Sequence, residues 1–354
     1  MAQDPPQRIG IRAPNWVGDV VMATPVLRAV RERFPAACVT LVVRKGLERI
    51  VHGAPWFDEC IVYGPRGMRS AGEFLRTVRA LRRPRCDLAL VLPNSFSSAL
   101  MFRLAGARRR VGYARDARSF LLTDALPRPS RDGRFRPTYM VDFYLALCEA
   151  AGIETERRDP ELPFSGADAE AAGAVLDRRG IRPADPLVLL HAGAAFGPAK
   201  RWPLSRFARL AEWIADECGA RVAVIGGRNE VAAAAEVARE ARVPIVDLTD
   251  CGIDLHLLKP VVARSRLLVT TDSGPRHYGI ALGVPTVCLM GPTHPGYSTS
   301  GRPHDRLVRV DVPCGPCQRR ACPLDHRCME RLTVEMVAEA CRAALSDVSG
   351  DTAG

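Results

Sequence analysis

Pro186-Leu-Val-Leu-Leu-His-Ala-Gly-Ala-Ala-Phe-Gly-Pro-Ala-Lys-Arg-Trp-Pro203 runs from a short apolar segment through small residues to a basic pair. The apolar segment is typical of a strand that is covered on both faces of a parallel sheet. The small residues that begin with Gly193 and Ala194 leave the backbone bare, so an anion can approach main-chain N–H groups. Lys200 and Arg201 place positive charge where the following helix directs its own positive end. The stretch predicts a phosphate or pyrophosphate seat, and an ordinary βα turn is the alternative.

The same alternation of strand and helix continues on both sides of this stretch. Short β-permissive runs are separated by amphipathic helices, and a connection rich in proline and charge over residues 152–166 divides the chain into halves. The count predicts an α/β protein of two doubly wound, Rossmann-like domains that face each other across a cleft. We place the domains at residues 1–165 and 166–330. We expect residues 331–354 to form a C-terminal helix that ends at Leu345, followed by a flexible tail.

The chain opens with a predicted strand, Arg8 to Arg12, a turn, and a single predicted helix from Val20 to Phe34. Asp19 comes just before this helix, at the carboxyl end of the strand, where open α/β sheets place their ligands. A carboxylate at the start of a helix also complements the helix dipole. The residues alone therefore leave Asp19 as either a site residue or a dipole partner.

Two further turns in the second half have the composition of nucleotide-binding turns. Gly226-Gly-Arg-Asn-Glu230 follows a predicted strand, and its glutamate either accepts hydrogen bonds from ribose hydroxyls or complements the helix dipole. In Thr270-Thr-Asp-Ser-Gly-Pro-Arg-His277, the residues Asp272, Ser273 and Gly274 lie between a strand and a helix that begins with proline. Such a turn presents N–H groups and a hydroxyl to an anion, and its histidine either donates to that ligand or packs within the helix. Neither half contains a GxGxxG or Walker sequence.

The chain is strongly basic. Its 354 residues carry a formal charge of +11, because 50 lysines and arginines outnumber 39 acidic residues. This balance favours an anionic partner, which is a nucleic acid, an anionic membrane surface or a phosphorylated substrate. A predicted helix over 71–82 has a basic flank formed by Arg76, Arg79, Arg82 and Arg83, and the stretch 115–137 is predicted to be a long irregular loop. Aromatic residues do not alternate with these arginines, which disfavours a nucleic-acid platform.

Cysteine usage and the lack of targeting segments predict a cytoplasmic protein. No apolar run reaches the roughly 20 residues of a membrane span, and the N-terminus lacks the apolar core of a signal peptide. Eight of the 12 cysteines are scattered singly, as in reduced intracellular proteins. Cys314, Cys317, Cys322 and Cys328 are instead spaced like a four-thiolate site for structural zinc or iron, in which His326 can replace one thiolate. A group of free thiols is the alternative.

Three blocks of the chain resemble the ADP-heptose:lipopolysaccharide heptosyltransferases, which form glycosyltransferase family 9. The blocks are Pro14-Asn-Trp-Val-Gly-Asp-Val-Val-Met-Ala-Thr-Pro25, Gly193-Ala-Ala-Phe-Gly-Pro-Ala-Lys-Arg-Trp-Pro203, and Thr271-Asp-Ser-Gly-Pro-Arg-His277 with Met290-Gly-Pro-Thr293. The second block is most similar to the heptosyltransferase II branch, and the match runs in order from about residue 8 to residue 345. Pro275 and Arg276 depart from the pattern, because many relatives have apolar residues there.

The resemblance implies a GT-B enzyme that moves L-glycero-D-manno-heptose from ADP-heptose to the heptosyl-Kdo-lipid A inner core of lipopolysaccharide, with inversion and without a required cofactor. It implies that Asp19 is the general base, that Lys200 neutralises the donor phosphates and that Glu230 contacts the ribose. It also assigns the segment from Asp272 to Gly274, together with His277, to the donor site. Because the phosphorylated acceptor is anchored in the inner membrane, we expect a peripheral protein on the anionic inner face of that membrane.

Three alternatives remain on the sequence alone. A related glycosyltransferase with another nucleotide-sugar or acceptor carries similar blocks, because one sequence does not determine sugar stereochemistry. A basic nucleic-acid-binding protein with a metal knuckle accounts for the charge and the cysteines, and its affinity would fall steeply with salt. A nucleotide-sugar or NAD-dependent oxidoreductase or epimerase accounts for the α/β pattern, but the glycine fingerprint and a Tyr-x-x-x-Lys pair are missing.

Overall fold

The computed structural model describes residues 4–64, 71–83, 85–131, 134–194 and 196–351. The chain divides into two compact units, Met1–Pro163 (unit 1) and Phe164–Gly354 (unit 2), two residues before the boundary expected from the sequence. Each unit is built around one six-stranded sheet. Every neighbouring pair of strands in both sheets is parallel, which requires the helical crossovers that the alternating pattern predicts.

Unit 1 combines a parallel sheet, a short antiparallel strand pair and connecting helices. Its strands are β1 (Arg8–Arg12), β2 (Cys38–Arg44), β3 (Glu59–Tyr63), β4 (Leu88–Val91), β5 (Arg109–Tyr113), β6 (Asp124–Leu126), β7 (Ser130–Arg131) and β8 (Arg134–Phe135). Its helices are α1 (Val17–Met22), α2 (Thr24–Arg33), α3 (Ala71–Arg82), α4 (Phe96–Leu104) and α5 (Met140–Ala150). The sheet order is β3-β2-β1-β4-β5-β6, so the direction of winding reverses between β1 and β4.

Two predictions for unit 1 are wrong in detail. The single helix predicted from Val20 to Phe34 is two helices, α1 and α2, because Pro25 in the first turn of α2 cannot donate a helical hydrogen bond and would clash with the preceding turn. The predicted irregular loop over 115–137 contains β6, which pairs with β5 and completes the sheet. The three residues of β6, Asp-Ala-Leu, begin with a charged residue and give no apolar run that predicts a strand.

Unit 2 repeats the design of unit 1. Its strands are β9 (Leu187–His191), β10 (Arg221–Val224), β11 (Ile245–Asp247), β12 (Leu267–Thr271), β13 (Thr286–Leu289) and β14 (Asp305–Val308). Its helices are α6 (Gly166–Arg178), α7 (Leu204–Cys218), α8 (Val231–Glu240), α9 (Leu258–Ala263), α10 (Gly274–Ala281), α11 (Arg327–Glu330) and α12 (Val334–Asp351). The order β11-β10-β9-β12-β13-β14 places the reversal between β9 and β12.

The C-terminal helix α12 belongs to the core of unit 2. Val337 and Cys341 are fully buried in the same apolar cluster as Phe207 of α7 and Val188 of β9. The helix runs to Asp351 and is therefore longer than predicted, while residues 352–354 of the expected tail lie outside the described residues. Among the described helices, none is both long enough and apolar enough to span a membrane.

Candidate active site

The central strands of unit 2, β9 and β12, direct their carboxyl ends to the same edge of the sheet. They are parallel neighbours, with His191 opposite Thr270, and the strand order reverses between them. Open α/β sheets bind their ligands at such a point. The loops that follow β9, β10 and β12, together with the first turns of α10, carry the residues predicted for the donor: Gly193, Ala194, Lys200, Glu230, Asp272, Ser273, Gly274 and His277. The topology therefore brings these residues to one edge of unit 2.

Lys200 is almost completely buried and forms an ion pair with Asp272. Its Nζ donates to Oδ2 of Asp272 at 2.8 Å and to the main-chain oxygen of the same residue at 2.5 Å. The ring centroid of Phe196 lies 4.9 Å from this ammonium, within the range of a cation–π attraction. Lys200 thus ties the loop after β9 to the loop after β12.

Asp272 uses both of its carboxylate oxygens inside the protein. Oδ2 accepts from Lys200 and from the hydroxyl of Thr293 at 2.7 Å. Oδ1 accepts from Nη1 of Arg276 at 3.1 Å and from the hydroxyl of Ser298 at 2.9 Å. Burial alone would raise the pKa of Asp272, but the charges of Lys200 and Arg276 hold it well below its usual range. Asp272 therefore stays ionised and positions Lys200.

Arg276, one of the two departures from the family pattern, is fully buried between two carboxylates. Its Nε and Nη2 donate to the two oxygens of Asp305, both at 3.0 Å, and its Nη1 donates to Asp272. Such bidentate pairs are among the strongest charge-assisted hydrogen bonds. The row Lys200–Asp272–Arg276–Asp305 alternates in charge and reaches from the loop after β9 to the edge strand β14.

The carboxylate of Glu230 is held against the backbone of Gly193. Oε2 accepts from the main-chain N–H of Gly227 at 2.8 Å and lies 3.2 Å from Nε2 of His191. A Cβ atom on residue 193 would lie 1.6 Å from Oε1, so this arrangement requires glycine there. Burial alone would raise the pKa of Glu230, but its hydrogen bond and charge interaction with His191 lower it.

The loop after β12 presents the start of α10. Ser273 is the N-cap residue, and Gly274 and Pro275 begin the helix. The Oγ of Ser273 lies 3.1 Å from Nδ1 of His191, so its hydroxyl does not cap the helix. His277 is buried in the next turn, where burial, reinforced by the charge of Arg276, lowers its pKa to about 4. His277 is therefore neutral near pH 7 and adds no positive charge to the site.

Asp19 lies in unit 1, at the third position of α1 and just beyond the carboxyl end of β1. The strand order of unit 1 reverses beside β1, so Asp19 follows a switch point as the donor loops do in unit 2. Its side chain is half-buried. Burial and, to a smaller extent, the charge of Asp19 raise the pKa of Tyr144.

The four clustered cysteines share one pocket but do not form a metal site. Cys314, Cys317, Cys322 and Cys328 line this pocket in unit 2 together with Ala199 and His326. The first two are exposed and the last is buried. Within the described residues, no three or more His, Cys, Asp or Glu side chains are grouped so that they could hold a metal ion. The predicted structural zinc or iron is therefore not supported.

The cysteine segment instead packs against the loop that carries Lys200. Nε2 of His326 donates to the carbonyl of Ala199 at 2.6 Å, and the N–H of Ala199 donates to the carbonyl of Arg320 at 3.0 Å. Gly197 has a φ of 156°, and a Cβ there would lie 2.4 Å from the same Arg320 carbonyl oxygen. These contacts hold the loop after β9 in place.

A family model described as glycosyltransferase family 9 (heptosyltransferase) matches residues 74–327. The chain belongs to this family. It is 29% identical to lipopolysaccharide heptosyltransferase 2 of Escherichia coli (strain K12) over 314 residues, which cover 86% of this chain and 88% of that protein. It is 30% identical to lipopolysaccharide heptosyltransferase 2 of Salmonella typhimurium over 319 residues, with the same two coverages.

The family-9 assignment agrees with the fold. The structure of E. coli ADP-heptose LPS heptosyltransferase II matches with a TM-score of 0.80 and 27% identity, covering 97% of this chain and 99% of that one. This family-9 chain is therefore a glycosyltransferase, and its two Rossmann-like units have the GT-B fold, as the resemblance implied. The oxidoreductase and nucleic-acid-binding alternatives lose their support.

Sequence reasoning misses three residues of this site. His191 carries a usable signal, because it is a polar residue at the end of an otherwise apolar, buried strand. Arg276 carries a weaker signal as a departure from the family pattern. Asp305 carries none, since it lies 29 residues from its partner Arg276 in a strand of four residues.

Proposed function

We propose that the chain is an inverting glycosyltransferase that moves L-glycero-D-manno-heptose from ADP-heptose to the heptosyl-Kdo-lipid A inner core of lipopolysaccharide. The observation that carries the proposal is the convergence of Lys200, Glu230 and Ser273 at the switch point of unit 2. The names of its relatives, lipopolysaccharide heptosyltransferase 2 and ADP-heptose LPS heptosyltransferase II, support this donor and acceptor. Transfer from another nucleotide-sugar, or to another acceptor, is the alternative.

In this proposal the donor binds to unit 2. Its diphosphate lies against the main-chain N–H groups of Gly193 and Ala194 and at Gly274, where α10 begins. Glu230 accepts hydrogen bonds from the ribose hydroxyls. Lys200, positioned by its carboxylate partner, stabilises the negative charge that develops as ADP leaves. In this proposal the transfer requires no cofactor, because Lys200 and the main-chain N–H groups supply this charge stabilisation.

Asp19 acts on the acceptor in this proposal. Inverting displacement requires a base that takes the proton of the acceptor hydroxyl as this oxygen attacks the anomeric carbon, on the face opposite the leaving ADP. A half-buried carboxylate at the switch point of unit 1 suits that role. The proton then passes to the Asp19 carboxylate, the new glycosidic C–O bond forms and the bond to the ADP phosphate oxygen breaks.

The test is mass spectrometry of Kdo-containing lipid A, with and without a first heptose, after incubation with ADP-heptose. We expect one added heptose only on the acceptor that already carries heptose. Asp19→Asn should bind ADP normally and lose most transfer, about 10²-fold or more, as expected for loss of a general base. The matched control is Asp142→Asn, which changes a first-turn aspartate of α5 that pairs with Arg158 at the surface.

Each other outcome overturns a defined part of the proposal. Addition to the acceptor without heptose would keep the donor and reassign the acceptor. A transfer rate for Asp19→Asn equal to that of Asp142→Asn would remove Asp19 as the base. Binding of ADP without transfer to either acceptor would refute this acceptor class.

We further infer that the protein is peripheral on the anionic inner face of the inner membrane, where such an acceptor is anchored. The support is α3, in which all three arginines, Arg76, Arg79 and Arg82, are exposed. Leu75 of the same helix and Arg83, which follows it, are exposed as well. Each arginine near an anionic surface contributes about 1 kcal/mol to membrane binding. The basic helix thus provides a membrane-facing surface on the unit that holds Asp19.

Vesicle sedimentation tests the membrane contact. Replacing the four arginines of the α3 region, residues 76, 79, 82 and 83, by glutamine should lower binding to phosphatidylglycerol vesicles by at least about tenfold. The control replaces four exposed arginines of unit 2 and changes net charge equally: Arg178, Arg182, Arg209 and Arg239. Equal loss in both variants would assign the binding to net charge and refute a specific role for α3.

A further inference from the structure

We propose that His191 is a positioning residue that couples the ribose contact Glu230 to the donor loop at Ser273, an inference that rests on the proposed donor site. Glu230 and Ser273 lie on opposite sides of the imidazole, and each is within hydrogen-bond distance of one of its ring nitrogens. Loss of the imidazole should therefore weaken nucleotide binding while leaving the proton-transfer chemistry at Asp19 unchanged.

The burial of His191 requires partners for its ring. It is the last residue of β9, follows four apolar residues that are each at most 1% exposed, and is itself 4% exposed. A buried polar group without hydrogen bonds is costly, and both ring nitrogens have partners here. Nε2 lies 3.2 Å from Oε2 of Glu230, while Nδ1 lies 3.1 Å from Oγ of Ser273 and 3.2 Å from Oγ1 of Thr270.

The proton arrangement of this link follows from its partners. Since an ionised carboxylate only accepts hydrogen bonds, Nε2–H donates to Glu230. Nδ1 lies within hydrogen-bond distance of the hydroxyls of Ser273 and Thr270, and both hydroxyls also reach the carbonyl of Thr271, at 3.1 Å and 2.9 Å. One imidazole thus orients a carboxylate on the loop after β10 and a hydroxyl on the loop after β12.

The geometry explains why this orientation matters for a ligand. The hydrogen bonds from Gly227 and His191 both end on Oε2 of Glu230, and Oε1 lies next to Gly193 at the predicted donor seat. We assign Oε1 to the ribose hydroxyls. Without His191, the flexible glutamate side chain would have to be ordered when the nucleotide binds, which reduces affinity.

The test measures the Kd for ADP by titration calorimetry on the full-length protein. His191→Phe keeps a ring and removes both nitrogens, and we expect a Kd about tenfold higher, as for loss of one hydrogen bond to a charged group. His191→Gln keeps a donor for Glu230 and should recover most of that loss. The control His304→Phe removes another histidine of unit 2, which donates to the carbonyl of Ile280, and should change the Kd less than twofold.

Two further comparisons separate coupling from a general structural effect. In a Glu230→Ala background, His191→Phe should raise the Kd less than twofold, because residues that act through one contact are not additive. With 2′,3′-dideoxy-ADP, which lacks the ribose hydroxyls, His191→Phe should also have little effect. Heptose transfer at saturating donor should keep its kcat within about threefold, since only ground-state binding changes.

These binding measurements distinguish failure of the proposed role of His191 from failure of the proposed function. An equal penalty in both backgrounds, or with both nucleotides, would overturn the coupling. Failure of His191→Gln to recover affinity would do the same, provided that its hydrogen exchange in unit 2 matches that of the wild type. If no acceptor receives heptose but the ADP penalties follow the expected pattern, the coupling stands and only the acceptor assignment fails.

Discussion

Replacing Arg276 by methionine should destabilise unit 2 strongly without creating a large cavity. Methionine is unbranched and apolar, so it fills much of the space of the arginine stem. The change removes the cation that lies between Asp272 and Asp305, both of which have almost no exposed side-chain surface. The substitution therefore tests the electrostatic contribution of Arg276 to the stability of unit 2 largely apart from the contribution of its packing.

The magnitude follows from the partners that each carboxylate keeps. Asp272 retains Lys200 and Thr293, so its charge stays compensated. Asp305 retains only the main-chain N–H and the hydroxyl of Ser300, both on Oδ2, and loses the bidentate cation. One uncompensated buried charge costs about 3–5 kcal/mol, and we expect a loss in that range. Replacing Asp305 by asparagine as well should recover at least half of it, because the charge that lacks a partner is then gone.

Acidification should narrow the difference between wild type and Arg276→Met. Burial would raise the pKa of Asp305, but Arg276 lowers it, so in the wild type this group stabilises the fold above the unfolded-state pKa and that contribution is lost as pH falls. In the variant, burial is opposed only by the two hydrogen bonds from Ser300, and we expect the folded-state pKa of Asp305 to rise above the unfolded value. Protonation of Asp305 then relieves the penalty, so the deficit should shrink from pH 7.5 towards pH 5.

Hydrogen exchange measured by mass spectrometry suits this test, since a chain of two units need not unfold in one step. Peptides from β12 and β14 report on unit 2, and peptides from β1 and β4 serve as the internal reference. The control is Arg209→Met, which removes an exposed ion pair with Glu335 and should cost less than about 1 kcal/mol. A loss for Arg276→Met as small as that of the control would refute the argument that this network is energetically important.

Three further predictions concern the donor loops and pH. Gly193→Ala should raise the Kd for ADP at least about tenfold, because the new Cβ would displace Glu230; an unchanged Kd would show that the carboxylate does not lie there in solution. Lys200→Met should lower kcat about 10²-fold or more with ADP-heptose, as for loss of one charge-stabilising group, while Arg201→Met, at the exposed neighbouring position, serves as the control. Since the pKa of His277 is lowered to about 4 in the fold, the unfolded chain binds the extra proton between about pH 6.5 and 4, and this group alone should lower wild-type stability by about 3 kcal/mol over that window. His277→Leu should fall less on acidification, and equal pH slopes for variant and wild type would contradict the neutral buried imidazole.

The chain's pattern of apolar runs was sufficient to predict most elements of both sheets. β9 and β12 lie where the sequence places them, because parallel strands that are buried on both faces are uniformly apolar and easy to recognise. β6 and β14 were missed, because these short edge strands, Asp-Ala-Leu and Asp-Arg-Leu-Val, each begin with a charged residue and lack a longer apolar run.

The candidate site likewise has features that the sequence predicts and features that only the tertiary structure shows. The sequence by itself determined the family, the two-domain α/β fold and the loops that carry Asp19, Lys200 and Glu230, because small residues and charges next to apolar strands are local features. Only the tertiary structure decided that Asp272 is saturated by internal partners, that Arg276 is held by Asp305 and that His191 joins two loops. The tertiary structure also fails to support the predicted structural zinc or iron site, because a short spacing of cysteines in the sequence does not specify where their sulfur atoms point. The contacts of Lys200 and His191 join loops that follow different strands. They depend on which strands become neighbours in the sheet, and the separation of two residues along the sequence does not determine how close they lie in the fold.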